Sequence, residues 1–158
     1  MSAKPELDLF RYLPFYLRSI SSRLNVIDSR LYVRSLGVGL NEWVCLALLA
    51  REDDISATRI CEVSGYDKAV ISRSISALTE KGLVTAKAVP DHNRRQLLRL
   101  TPSGQSKYRE VEQRVLRRTE VLLADISAEE RETLIELLSK ILHSADALLQ
   151  DGVENLTE

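Results

Sequence analysis

The chain has 158 residues, 44% of them hydrophobic, 28% charged and only 5% aromatic, with a formal net charge of −1. This is enough chain for one domain with helical appendages, and the composition argues against a disordered polymer, a β-sandwich or a membrane-spanning protein. The charge is uneven: residues 56–101 hold eight basic and four acidic side chains, between a neutral first third and an acidic last third, so a polyanionic partner is expected for the middle alone.

The first long segment, about 14–35, is helical by period. Phe10, Leu13, Leu17, Ile20, Leu24, Ile27 and Leu31 recur at spacings of three and four. Pro14 suits a first helical turn, which leaves Leu9–Leu13 as a separate turn or irregular lead-in. Gly37 and Gly39 close the segment. Asn41 is then in place to cap a second helix, Glu42–Ala50, whose apolar side chains nearly encircle it, as expected of a central core element.

Ser56 suits the N-cap of a short third helix, Ala57–Val63, and Asp67 that of a fourth, Lys68–Lys81, which Gly82 terminates. Two helices joined by the tight break Ser64-Gly65-Tyr66 match a helix-turn-helix. Two strand candidates follow, Leu83–Val89 and Arg94–Leu100, separated by the turn cluster Pro90-Asp91-His92-Asn93. Helix-turn-helix plus hairpin is a winged helix. Thr101 with Pro102 opens a fifth helix reaching about Asp125, and Ser127-Ala128-Glu129-Glu130 is a capping box for a sixth. The fold class expected is therefore mainly α with a small β-hairpin wing. Residues 39–101 form the winged helix-turn-helix, and residues 1–38 and 102–158 form helical flanks within one chain.

Both flanks carry near-heptad apolar stripes too extensive for one small winged helix to cover. A second copy of the chain buries them most simply; a monomeric bundle with a long hairpin is the alternative. A two-fold dimer presents two recognition helices, as a pseudo-palindromic B-DNA site requires at a spacing of about 34–36 Å or a multiple.

Several stretches carry a family resemblance. They are Gly39-Leu40-Asn41-Glu42-Trp43-Val44-Cys45-Leu46, Asp67-Lys68-Ala69-Val70-Ile71-Ser72-Arg73, Leu78-Thr79-Glu80-Lys81-Gly82-Leu83-Val84, and Arg94-Arg95-Gln96-Leu97-Leu98-Arg99-Leu100-Thr101-Pro102-Ser103-Gly104. In this order and spacing the chain resembles the MarR-type (multiple antibiotic resistance regulator) winged-helix transcription factors over nearly its whole length. One departure is plain. The family usually places an Asp two residues before the wing arginine, whereas here His92 occupies that position and Asp91 is the nearest acid.

The resemblance and the helix geometry together point to Lys68, Ala69, Val70, Ser72, Arg73 and Ser74 as the residues that enter a major groove. Arg73 suits guanine O6 and N7 or a phosphate, and Ala69 or Val70 suits a thymine methyl. Ser56 and Thr58, with the positive end of the third helix, suit phosphate oxygens, although capping alone explains a Ser at position 56. Arg94 and Arg95 at the hairpin tip suit a narrow minor groove or its phosphates. The competing account of these cations is an ordinary solvated surface. Many relatives bind a small aromatic acid between the dimer helices and the DNA-binding lobe. The resemblance thus implies a pocket with Tyr16, Arg18 pairing a carboxylate and Trp43 stacking, against plain surface and core roles for the last two.

Cys45 and Cys61 lie in apolar surroundings without metal-knuckle spacing and read as buried and inert in a reduced, cytoplasmic protein; the opening MSAKPELDLF has no secretion signal's apolar stretch. His92 and His143 fall in different elements, and no phosphate-cradling loop, nucleophile elbow or His/Glu metal pair is present. The expectation is a non-enzymatic, cofactor-free and metal-free homodimeric repressor of transcription with double-stranded DNA and a small-molecule effector as partners. The alternative is a winged-helix protein-interaction module without sequence-specific DNA binding.

Overall fold

The structure, a computed structural model, describes residues 7–33, 36–88 and 96–152. The chain divides into two units, Met1–Arg114 and Val115–Glu158.

In the first unit, the Asp8 carboxylate accepts the Phe10 N–H at 3.0 Å and caps a 3-10 turn, Leu9–Arg11. Helix α1 (Leu13–Asp28) follows, with Pro14 in the first turn, where its missing N–H leaves no bond unmade. The segment expected to be one helix to residue 35 changes at Ser29 to a widened π-helical turn, Ser29–Val33, within which Tyr32 is buried.

Helix α2 (Leu40–Arg51) starts two residues earlier than expected. Asn41 is not its cap: Gly39 is, and its N–H is taken by the Glu42 carboxylate reaching back at 2.9 Å. The longer Glu side chain at the third helical position bonds the cap backbone in the manner of a capping box, which places Asn41 inside the first turn. Helices α3 (Ala57–Ser64) and α4 (Lys68–Glu80) have the expected caps. Ser56 Oγ accepts the Arg59 N–H at 3.2 Å, and the Asp67 carboxylate accepts the Ala69 N–H at 2.7 Å. Between them Gly65 takes φ 68°, which a side chain would disfavour.

Strand β1 (Val84–Ala88) runs antiparallel to β2 (Gln96–Leu100), with Val84 opposite Leu100 and Ala88 opposite Gln96. The period of two turns Val84, Leu98 and Leu100 to one side, where all three are buried. An isolated bridge joins Ile55 to Leu98, whose N–H donates to the Ile55 carbonyl at 2.9 Å. Residues 89–95, including His92, Arg94 and Arg95, lie outside the described residues. The core beneath the hairpin is built from Leu46 and Leu49 of α2, Ile60 of α3, and Ile71 and Leu78 of α4, each fully buried. Burying such side chains contributes about 1.5–3 kcal/mol each.

Helix α5 (Pro102–Leu122) begins at a tight junction. The Thr101 N–H donates to the Leu83 carbonyl at 3.0 Å, and its hydroxyl donates to the Gly82 carbonyl at 2.7 Å. That hydroxyl also accepts the Gly104 N–H at 3.0 Å. Gly104 is required by space: a Cβ there would lie 1.9 Å from the Leu83 carbonyl oxygen. The fold is thus mainly α with a two-stranded antiparallel wing, a winged helix-turn-helix with flanking helices.

The second unit contains the end of α5, a turn and helix α6 (Ala128–Asp151). The α-helical run of α5 stops at Leu122 rather than near Asp125, because the chain turns there. Arg131 fastens the turn, donating to the Leu123 carbonyl at 2.6 Å and the Ile126 carbonyl at 3.0 Å. Ser127 and Glu130 form the expected capping box at 2.8 and 3.2 Å, and these donors hold the Glu130 carboxyl below its usual range. None of the apolar residues of α6 is buried: Leu134, Leu137, Leu138, Ile141 and Leu148 form an exposed stripe at spacings of three, four and seven.

The two cysteines differ. Cys45 is fully buried, and burial first, with the charges of Cys61 and Glu42 after it, pushes its thiol up to about 12. Cys61, expected to be equally buried, is half-buried because α3 turns only Ile60 fully inward.

Two outcomes follow from this packing. Gly104→Ala is expected to lower unfolding free energy by about 3 kcal/mol, since a backbone oxygen cannot move aside as a side chain would. A denaturant midpoint equal to wild type would contradict the junction. With a thiol-alkylating reagent near pH 8, one thiol per chain, Cys61, should react in the folded protein. Cys45 should react only after unfolding, so two equivalents labelled at the same rate would count against its burial.

Candidate nucleic-acid interface

The first turn of α3, the solvent side of α4 and the start of β2 enclose a groove of about 330 Å³. Its walls include Ser56, Ala57, Thr58, Lys68, Ser72, Ile75, Ser76, Gln96 and Leu98. The fold explains why these meet. On α4, Lys68, Ser72, Ile75 and Ser76 are spaced four, seven and eight residues apart and share a face. The adjoining face, with Ile71, Ser74 and Leu78, is held in the core. The Gly65 turn sets the N-terminus of α3 beside this face, and the Ile55–Leu98 bridge brings the base of the wing to it.

Four of the expected contact residues, Ser56, Thr58, Lys68 and Ser72, are thereby brought together. Ala69 and Arg73 are exposed one residue further round the helix, about 100° away from Lys68 and Ser72. Val70 is half-buried. Ser74 departs from expectation. It is only 7% exposed, and its hydroxyl donates to the Val70 carbonyl at 3.0 Å, so the core claims it and it offers no surface. Arg94 and Arg95 lie outside the described residues.

Chemically the groove combines an ammonium (Lys68), hydroxyls (Ser56, Thr58, Ser72, Ser76), the amide of Gln96 and the N-terminal end of α3, where Ser56 already takes the Arg59 N–H. Helix N-termini and Lys suit phosphate oxygens, while Ser and Gln donate to and accept from base edges. Asp67 is committed to capping α4. Ser76 and Gln96 were not singled out from the sequence. The spacing of four from Ser72 marks Ser76, whereas Gln96 becomes visible only when the strand register is known.

The wing base is fixed by charge as well as by the bridge. Arg99 of β2 pairs with the Asp54 carboxylate through two nitrogens, with Nε at 3.2 Å from Oδ1. Asp54 holds φ 57°, the only positive φ of a non-glycine among the described residues. Both partners are well exposed, so solvent screens the pair and it adds little to stability. It nevertheless braces the wing from the α2–α3 loop.

The three residues expected around an effector lie outside this groove. Tyr16 and Arg18 are exposed on α1, and the ring contact of Tyr16 is with Phe15, at 5.9 Å between centroids. Trp43 already stacks on two rings, Tyr108 at 5.4 Å and 7° and Tyr32 at 6.4 Å and 25°. It is a structural tie between the end of α1, α2 and α5 rather than an open platform. The Tyr108 hydroxyl bonds the Glu112 carboxylate, which raises the phenol's pKa, and burial raises that of Tyr32. Among the described residues no group of three or more His, Cys, Asp or Glu side chains is arranged to hold a metal, and no helix is long and apolar enough to cross a membrane.

Comparison with known proteins adds to this geometry. Residues 36–95 match the sequence model of the MarR family. The chain is 31% identical over 105 residues to YdgJ of Bacillus subtilis, an uncharacterised helix-turn-helix transcriptional regulator. That match takes in 66% of this chain and 64% of YdgJ, so the chain spans a little under two thirds of that relative's length. A MarR/EmrR family transcriptional regulator from Acinetobacter sp. ADP1 has the same architecture at a TM-score of 0.81 and 26% identity, over 89% of this chain and 99% of that one. BpsR of Bordetella bronchiseptica, whose DNA binding is regulated by 6-hydroxynicotinic acid, shares the fold at a TM-score of 0.74 and 22% identity, over 82% and 97% of the two chains.

Proposed function

Because the chain belongs to the MarR family, we propose that it is a cytoplasmic, homodimeric transcriptional regulator that represses by binding a pseudo-palindromic DNA operator. The observation that carries this reading is the groove, where the exposed face of α4 and the N-terminus of α3 converge on one side of the molecule. In this reading α4 enters the major groove, with Lys68 on phosphate and Ala69, Val70, Ser72 and Arg73 at base edges. Ser56 and Thr58 grip the backbone, and Arg94 and Arg95 extend the wing's contact.

The exposed stripe of α6 supports the dimer. Leu134, Leu137, Leu138, Ile141 and Leu148 are between 37% and 51% exposed, and a second copy of the chain is the self-complementary surface that covers them. The two-fold then sets two α4 helices on half-sites about 34–36 Å apart or a multiple of that.

A small aromatic acid-like effector completes the proposal, by the likeness to BpsR. Arg18 pairs its carboxylate and Tyr16 flanks it, with Trp43 left in its own stack. Such a ligand releases DNA only through different affinities for the two dimer states.

Repeated selection of random duplexes by the protein should yield a two-fold symmetric consensus; an unsymmetric or absent consensus would contradict the dimeric reading. On the selected duplex, Arg73→Ala is expected to cost about 1–3 kcal/mol and to relax preference at one base position. Lys68→Ala should weaken binding to all sequences alike and lower the salt slope by about one. Unchanged affinity in either variant removes that residue from the interface.

A further inference from the structure

Outside the groove, the most heavily bonded polar cluster is at the other end of α4. Lys81 caps that end, and all three of its ammonium protons have acceptors: the Gly37 carbonyl at 2.9 Å and the two Glu42 carboxylate oxygens at 2.9 and 2.6 Å. Glu42 simultaneously accepts the Gly39 N–H at 2.9 Å. Its side chain is only 13% exposed, unlike the open pair of Asp54 and Arg99. A second lysine, Lys107 of α5, reaches the Leu36 carbonyl at 3.4 Å while paired with Glu110 at 2.6 Å. Leu36 and Val38 are buried between these bonded groups, and Gly37 holds φ 66°. The segment 36–39, through which the chain passes from α1 to α2, is therefore held on both its polar and its apolar sides.

We propose that Lys81 and Glu42 are positioning residues for DNA reading: their ion pair, closed over the Gly37 carbonyl, latches segment 36–39 to the C-terminal end of α4 and so sets the orientation in which α4 presents its other end. The proposal rests on the reading of α4 as the recognition helix. Lys81 lies about 20 Å along the helix from Lys68, at 1.5 Å per residue, so it acts through the helix and not on the duplex. A displacement of segment 36–39 is passed to α4 as a rigid body, because the bonds grip the helix terminus and Leu78 anchors the last turn in the core. Lys suits this role because one compact charge satisfies a carbonyl and a carboxylate at once.

The test uses the full chain with three substitutions, Lys81→Met, Glu42→Gln and Lys81→Arg, and two readouts. Hydrogen–deuterium exchange reports on amides 36–39, and anisotropy gives operator affinity over a range of salt. Lys81→Met is expected to speed exchange in 36–39 and to weaken operator binding about tenfold, within the range of coupled sites. Its salt slope and its affinity for scrambled duplex should be those of wild type. Glu42→Gln should move both readouts the same way even where Lys81→Met folds poorly, and Lys81→Arg should restore most of the affinity. Faster exchange with unchanged operator affinity would overturn the positioning role. A salt slope lowered by about one would overturn it in favour of a direct phosphate contact. Unchanged exchange would overturn the latch itself. Equal wild-type affinity for operator and scrambled duplex would overturn the DNA reading and the positioning role with it, and is told apart because it appears in the unsubstituted protein.

Discussion

Three consecutive residues after α4 bear more of the architecture than any comparable stretch. Lys81 bonds Gly37 and Glu42, the Gly82 carbonyl accepts the Thr101 hydroxyl, and the Leu83 carbonyl accepts the Thr101 N–H. At Leu83 the backbone of α5 approaches so closely that only glycine fits at position 104. The end of α4, the entry to β1, the exit from β2 and the start of α5 are thus fixed to one point of main chain. The main-chain bond between Thr101 and Leu83 tolerates little displacement, since Leu83 is buried and a buried acceptor left unpaired costs about 1–3 kcal/mol. This is why a groove made from three separate elements can keep a single shape.

The groove in turn depends on what that junction leaves free. With Ile71, Ser74 and Leu78 of α4 committed to the core, the face turned to the groove carries Lys68, Ser72, Ile75 and Ser76. The positive balance of residues 56–101 favours the approach of a duplex, while the acidic last third is disposed to keep DNA away from the flanking helices.

Much of this was legible in the sequence, for local reasons. Ser56, Asp67 and Ser127 announce helix starts through side-chain bonds spanning two or three residues, and the apolar periods of α4 and α6 identify their stripes without tertiary information. Where a competing local bond was stronger, the reading slipped: Glu42 capped α2 in place of Asn41, and Ser74 bonded its own helix and turned inward. Contacts between distant segments were illegible. Tyr32 and Tyr108 meet Trp43 from positions 11 and 65 residues away, and Asp54 meets Arg99 at a separation of 45. No spacing rule connects such pairs. The stacking of Trp43 on Tyr32 and Tyr108 was equally hidden from the sequence.

The central claim is that the face of α4 reads sequence and does not merely attract polyanions. The most direct test is fluorescence anisotropy of the intact protein on DNA from upstream of its own gene against a scrambled duplex of equal length, at two salt concentrations. The account predicts affinity for the native fragment higher by about a thousandfold or more, persisting at the higher salt. Equal, weak affinities that collapse together as salt rises would contradict it, since charge alone would then account for all the binding.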